Sequence, residues 1–102
     1  MSDPTMEWAT DSAVMQRGLA EDKHALDCFH ELMLEKLRDN RHKAHWEHVS
    51  QDWILARLEQ ELEELKEALA NGCADDIAYE CADVANFAMM IADNERDKNE
   101  VR

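Results

Sequence analysis

Turn-forming residues are nearly missing from this sequence, with 2 glycines and 1 proline in 102 residues. Tight hairpins and glycine-rich loops draw on those residue types. Their scarcity excludes a many-stranded β-fold and a phosphate-cradling loop of the GxxxxGK[ST] kind. Basic residues are also few, 11 Lys and Arg against 24 Asp and Glu, giving a net charge of −13. A nucleic-acid polymer or an anionic membrane surface rewards basic patches, so neither is an expected partner. A nucleotide substrate is still compatible, because a bound cation reverses the local field. No apolar run approaches a membrane span of ~20 residues, and no apolar signal segment opens the sequence. Cysteine is limited to Cys28, Cys73 and Cys81, an odd number outside any CxxC pattern. Reduced thiols in a cytoplasmic protein are the expectation.

What the sequence does have is helical periodicity. Hydrophobic residues make up 45% of it, enough for one small domain, and the predicted class is all-α: an antiparallel bundle of three main helices. Residues 1–20 read as a loose arm in which Met6 and Trp8 can dock on a partner, 21–93 as the helical domain and 94–102 as a polar, fraying tail. The first helix, over residues 21–40, carries Leu26, Phe29, Leu32, Met33 and Leu37 at three- and four-residue steps. Residues 41–51 are polar and rich in His and Trp, and periodicity does not decide between loop and helix there. Ser50 can cap a second helix with Ile54, Leu55, Leu58, Leu62, Leu65 and Leu69 on one stripe, ending at Asn71-Gly72. Asp75 or Asp76 opens a third, with Ile77, Cys81, Val84, Ala88 and Ile91 on its buried face. A helical domain this small often completes its core with further copies of itself, so a homo-oligomer, dimer or tetramer, is expected.

The acidic residues are grouped. Glu61 and Glu64 on the second helix, and Glu80 and Asp83 on the third, are i,i+3 pairs whose members share one side of a helix. At about 100° per residue, Glu61 falls at the shoulder of the leucine stripe and Glu64 roughly 60° further round. Glu67 lies almost opposite the stripe and Glu63 on its other flank. Glu80 and Asp83 sit beside the third helix's apolar stripe in the same way, so both pairs can edge one helix–helix seam. Basic partners are missing: Arg57 and Lys66 are the only ones on the second helix, and the third has none before Arg96. A solvated acidic face is the plain alternative. Four uncompensated carboxylates at a seam would repel one another, and a hard divalent cation such as Mg²⁺ relieves that.

The run Leu58-Glu59-Gln60-Glu61-Leu62-Glu63-Glu64-Leu65, followed by Glu80-Cys81-Ala82-Asp83-Val84-Ala85-Asn86, resembles the MazG-like nucleotide pyrophosphohydrolases of the all-α NTP pyrophosphatase superfamily, whose pattern is EExxE, a gap, then ExxD. The segment from Lys36 to Trp46 is similar to the one preceding the motif in small phage and bacterial members, and the resemblance spans about residues 25–93. Gln60 stands where the pattern has its first Glu. Shifting the register to Glu63-Glu64-x-x-Glu67 would restore the literal motif but turn the pair away from the seam. The resemblance therefore implies Glu61, Glu64, Glu80 and Asp83 as metal ligands, and Mg²⁺, with Mn²⁺ able to substitute. It further implies cleavage of a nucleoside triphosphate to a monophosphate and pyrophosphate, with Glu61 or Glu64 as the base that takes a proton from water.

Substrate contacts are expected where the first helix ends. Lys36, Asn40 and Lys43 follow i,i+4,i+7 spacing within the most basic stretch, either as a phosphate and sugar grip or as charge balance. Trp46 can stack on a base or close the core, whereas Trp53 reads as core. Asn86, one turn after Asp83, can hydrogen-bond a sugar or a ligand carboxylate. His42, His45 and His48 recur every three residues but lack a fourth zinc ligand. A di-iron bundle would need two ExxH pairs and finds one, Glu21-x-x-His24. The non-enzymatic alternative is a nucleotide-binding or oligomerisation helix protein of the same fold.

Overall fold

A computed structural model of the chain describes residues 12–40 and 45–100. The described residues form three helices and no strand. Helix α1 spans Ser12–Asp39, a short 3₁₀ turn Trp46–His48, α2 Gln51–Asn71 and α3 Ala74–Glu100. None of these helices is long and apolar enough to cross a membrane. Met6, Trp8 and Lys43 lie outside the described residues.

The chain divides into two units, Met1–Glu31 and Leu32–Arg102. In the first, α1 already begins at Ser12 rather than at residue 21. Residues 12–20 contain one glycine and no proline, and a single Gly costs a helix only ~1 kcal/mol, too little to stop it. Leu19 and Leu26 are exposed here and Phe29 is half-buried, so Leu26 is not the core residue its spacing suggested.

In the second unit α2 and α3 form a hairpin joined by Gly72-Cys73. Ser50 Oγ accepts from the Trp53 N–H at 3.2 Å, which satisfies a donor in the first turn of α2. At the other end Gly72 N–H donates to the Ala68 carbonyl. Its φ is −91°, so glycine is not required for a left-handed turn. A Cβ there would meet the Ala68 carbonyl oxygen at 2.8 Å, and that close approach is what calls for glycine.

Both apolar stripes are oriented differently from expectation. On α2, Ile54 is buried and Leu58 and Leu65 half-buried, while Leu55, Leu62 and Leu69 are exposed. Six apolar positions span more arc than one neighbouring helix covers; Ile54, Leu58 and Leu65 lie within about 40° of each other, and the exposed leucines lie further round. On α3 the buried residues are Ala82, Asn86 and Asn94. Ala82 and Asn86 lie nearly opposite Ile77, Cys81, Val84, Ala88 and Ile91, and Asn94 lies at that stripe's edge, about 60° from Ile91; of the five, Ala88 is exposed and the others half-buried. Polar anchors explain the rotation. Asn86 Nδ2 donates to the Met33 carbonyl of α1 at 3.2 Å. Gln51 Nε2 donates to the Ile91 carbonyl at 3.1 Å.

The same kind of bonding carries α3 past Asp93 to Glu100, where a fraying tail was expected. Asn94 Nδ2 donates to the Trp46 carbonyl and to Gln51 Oε1, both at 3.2 Å. The 3₁₀ turn is held from the side as well, because Trp46 Nε1 donates to Asp93 Oδ2 at 3.0 Å.

Candidate metal and substrate site

Glu61 sits on the same line of α2 as Ile54, Leu58 and Leu65, within about 20° of Ile54, and not on the shoulder. It is 5% exposed, so the helix drives a carboxylate into its packed face. One carboxylate oxygen from each of Glu61, Glu64 and Glu80 lies within 4.8 Å of the others. Glu80 is half-buried and Glu64 exposed, so the cluster runs from the seam out to solvent. Asp83 stands beside it, with Oδ2 3.3 Å from Lys36 Nζ. Glu63 is exposed and paired with Lys66 at 2.9 Å, and Glu67 is exposed. The register that selects Glu61 and Glu64 is thus the one that faces α3.

Crowding shows in the proton affinities. Burial, a hydrogen bond with Glu64 and the charges of Glu64 and Asp83 push the Glu61 carboxyl up to about 7, against the opposing pull of Arg57. Glu80 is raised too, by burial first and then by Glu64 and Asp83, with the Glu61 hydrogen bond and Lys36 opposing.

Two carboxylate oxygens, Glu61 Oε2 and Glu80 Oε2, are buried without a hydrogen-bond partner. A buried acceptor left unpaired is costly, and here two of them belong to an all-oxygen donor set of the hard kind that Mg²⁺ takes. The residues present fit such an ion.

Sequence reasoning passed over Arg57, counting it only as one of two bases on α2. Its Nη2 donates to Glu61 Oε1 at 2.9 Å, its Nη1 to Gln60 Oε1, and its guanidinium lies 5.5 Å from the centre of the Phe87 ring. The i,i+4 spacing of Arg57 and Glu61 was the available signal. Gln60 is exposed and bonded to Arg57.

A cavity of about 760 Å³ opens beside the carboxylates. Lys36, Arg57, Glu61 and Asp83 line its charged part, and Trp46, Trp53, Phe87 and Met90 its apolar part. Asn40 and Asn86 also line it. Asn40 Nδ2 is bound to the Lys36 carbonyl at 2.8 Å. The Met33 carbonyl can only accept, which fixes the Asn86 amide with Nδ2 towards it and leaves Oδ1 buried without a donor. Trp53, expected in the core, is 53% exposed on the cavity wall. Trp46 has its indole N–H committed to Asp93 and its ring stacked on His45, centroids 4.0 Å apart. Asp93 is held below the usual carboxylate range by Arg96 and by that indole N–H. His45 and His48 flank Glu47 at 3.9 and 3.3 Å, and no His joins a metal-like cluster among the described residues. Cys28, Cys73 and Cys81 are free thiols.

Neither the curated proteins nor the solved structures contain a match to the chain. Among protein families, residues 26–96 match PRA-PH, phosphoribosyl-ATP pyrophosphohydrolase. That stretch covers most of the chain and includes the carboxylate cluster, Arg57 and the cavity wall. The chain therefore belongs to the PRA-PH family of pyrophosphohydrolases, part of the MazG-like all-α NTP pyrophosphatase superfamily.

Proposed function

We propose that the protein is a Mg²⁺-dependent hydrolase that splits a nucleoside triphosphate between its α and β phosphates, releasing a monophosphate and pyrophosphate. The observation that carries this reading is the trio Glu61, Glu64 and Glu80, with two orphaned buried oxygens, at a cavity walled by cations and aromatic rings. Members of the family typically need Mg²⁺. Glu61, Glu64, Glu80 and Asp83 would hold it, and when bound it would offset the triphosphate's charge and make a water more acidic.

The chain's own part is binding and proton handling. Lys36, Asn40 and the amide of Asn86 contact the phosphates and sugar, with Lys43 joining them from the segment after α1. Trp46, immobilised by Asp93, offers a flat wall to the base. Water attacks the α phosphorus, the bond from that phosphorus to the bridging oxygen breaks, and pyrophosphate leaves with the bridging oxygen. Glu64, the most exposed of the trio, takes the attacking water's proton, and Glu61 is the second carboxylate able to do so. Gln60 points to Arg57, so its amide removes no oxygen from the cluster. The working form is a homo-oligomer, which would cover the exposed leucines of α2.

The test is a panel of ribo- and deoxyribonucleoside triphosphates with Mg²⁺ or Mn²⁺, products separated by chromatography. Phosphoribosyl-ATP, the compound in the family's name, belongs in it as an ATP derivative. Monophosphate and pyrophosphate from at least one compound, lost in Glu64→Ala and Asp83→Ala, is the expected result. No cleavage of any of them, with Mg²⁺ still raising the melting temperature, would replace the enzyme by a binding protein.

A further inference from the structure

Two of the four carboxylates that face the site carry a cation of the chain itself. Arg57 Nη2 lies 2.9 Å from Glu61 Oε1, and Lys36 Nζ lies 3.3 Å from Asp83 Oδ2. Both cations line the cavity. We infer that Arg57 and Lys36 are built-in counter-ions that occupy the metal site until a divalent cation takes their carboxylates, and are then handed to the phosphates of the substrate. The inference rests on the metal-site reading above and adds an order of events to it, metal before nucleotide.

Charge and geometry support the exchange. A divalent ion on Glu61 and Asp83 consumes the negative charge that holds the two cations and repels them at close range. Both have somewhere to go. The guanidinium already rests over the Phe87 ring, 5.5 Å from its centre, and the Lys36 ammonium lies 5.5 Å from the centre of the Tyr79 ring; an aromatic face attracts a cation without competing for it as a carboxylate would. The other tie on Arg57 is weak, because Gln60 Oε1 is the oxygen of a neutral amide and holds a guanidinium less firmly than a carboxylate does. The released guanidinium presents a planar fork of donors suited to two phosphate oxygens.

The inference makes metal and phosphate affinities move in opposite directions when a cation is removed. Titration calorimetry would measure Mg²⁺ binding without nucleotide, and then inorganic tripolyphosphate binding at saturating Mg²⁺. Arg57→Gln and Lys36→Gln are measured beside the wild type. Each variant is expected to bind Mg²⁺ at least threefold more tightly, since a competitor is gone, and tripolyphosphate at least fivefold more weakly. If these side chains only position Glu61 and Asp83, Mg²⁺ affinity falls in the variants; that result, or an unchanged tripolyphosphate affinity, overturns the inference. A wild-type protein that takes up no Mg²⁺ would instead overturn the metal-site reading itself, so the two failures are separable. Lys36→Gln keeps the test decisive should Arg57→Gln fail to fold.

Discussion

Burial and two neighbouring acids raise the Glu61 carboxyl to about 7 against the pull of Arg57, so it exchanges its proton around neutral pH and not in the ordinary carboxylate range. The linkage has a definite sign. A carboxyl whose folded value of about 7 exceeds the ordinary 4.5 contributes stability that is complete below about 4.5 and is lost as the pH rises through 7. Without divalent ions, the urea midpoint should fall between pH 5 and pH 8, by up to about 3 kcal/mol in stability. Glu61→Gln, which keeps the shape and removes the titration, should flatten that dependence and make the metal-free protein more stable at pH 8. It should also abolish the rise in melting temperature on adding Mg²⁺. A metal-free protein that gains stability from pH 5 to pH 8 would contradict this account. The candidate ligands were legible in the sequence because helical angle and the ExxE and ExxD spacings constrain the same positions. Arg57 was not, since its role depends on which carboxylate it reaches. The commitment of the Trp46 indole to Asp93 depends on a contact 47 residues away, which no local pattern encodes.

At the level of elements, the boundaries set by local chemistry were readable: the Ser50 cap, the stop at Asn71-Gly72 and the connection before α3. The faces were not. An apolar stripe identifies a helix, yet on α3 the buried side is the one carrying Ala82, Asn86 and Asn94, because amide bonds to neighbouring elements outweigh the alternation of small apolar residues. Asn94 is the clearest test. Asn94→Ala removes the donor shared by the Trp46 carbonyl and Gln51 Oε1, although the Val49 N–H still donates to that carbonyl, a loss of about 1 kcal/mol in urea unfolding. The 3₁₀ turn should loosen with it, read as a red shift of Trp46 emission in a background carrying Trp8→Phe and Trp53→Phe. Gly72→Ala should cost more than ~1 kcal/mol, because the added Cβ meets a backbone oxygen that the helix end cannot move freely. An unchanged urea midpoint in either variant would show that the anchor is not used.

For the whole molecule, the apolar surface left over is the informative quantity. Leu19, Leu26, Leu55, Leu62 and Leu69 are each at least 40% exposed, and only Ile54 and Ala82 form the fully buried apolar core of the described residues. A core that small does not stabilise a helical domain unaided. Light scattering after size exclusion should therefore report a dimer or tetramer at micromolar concentration, and Leu62→Lys should shift it towards monomer with a lower melting temperature. A wild-type protein that is monomeric throughout would contradict the expectation. The all-α class followed from missing glycine and proline, whereas length supports only the expectation of further copies. Copy number depends on how exposed faces pair between chains, which a single sequence does not state.

In the proposed reaction, this carboxylate site would direct water to the α phosphorus of a nucleoside triphosphate. Turnover in ¹⁸O-labelled water with Mg²⁺, followed by mass spectrometry of both products, tests it most directly. The expected result is one ¹⁸O in the nucleoside monophosphate, unlabelled pyrophosphate, and neither product from Asp83→Ala. Label in the pyrophosphate, or release of diphosphate and inorganic phosphate, would contradict it.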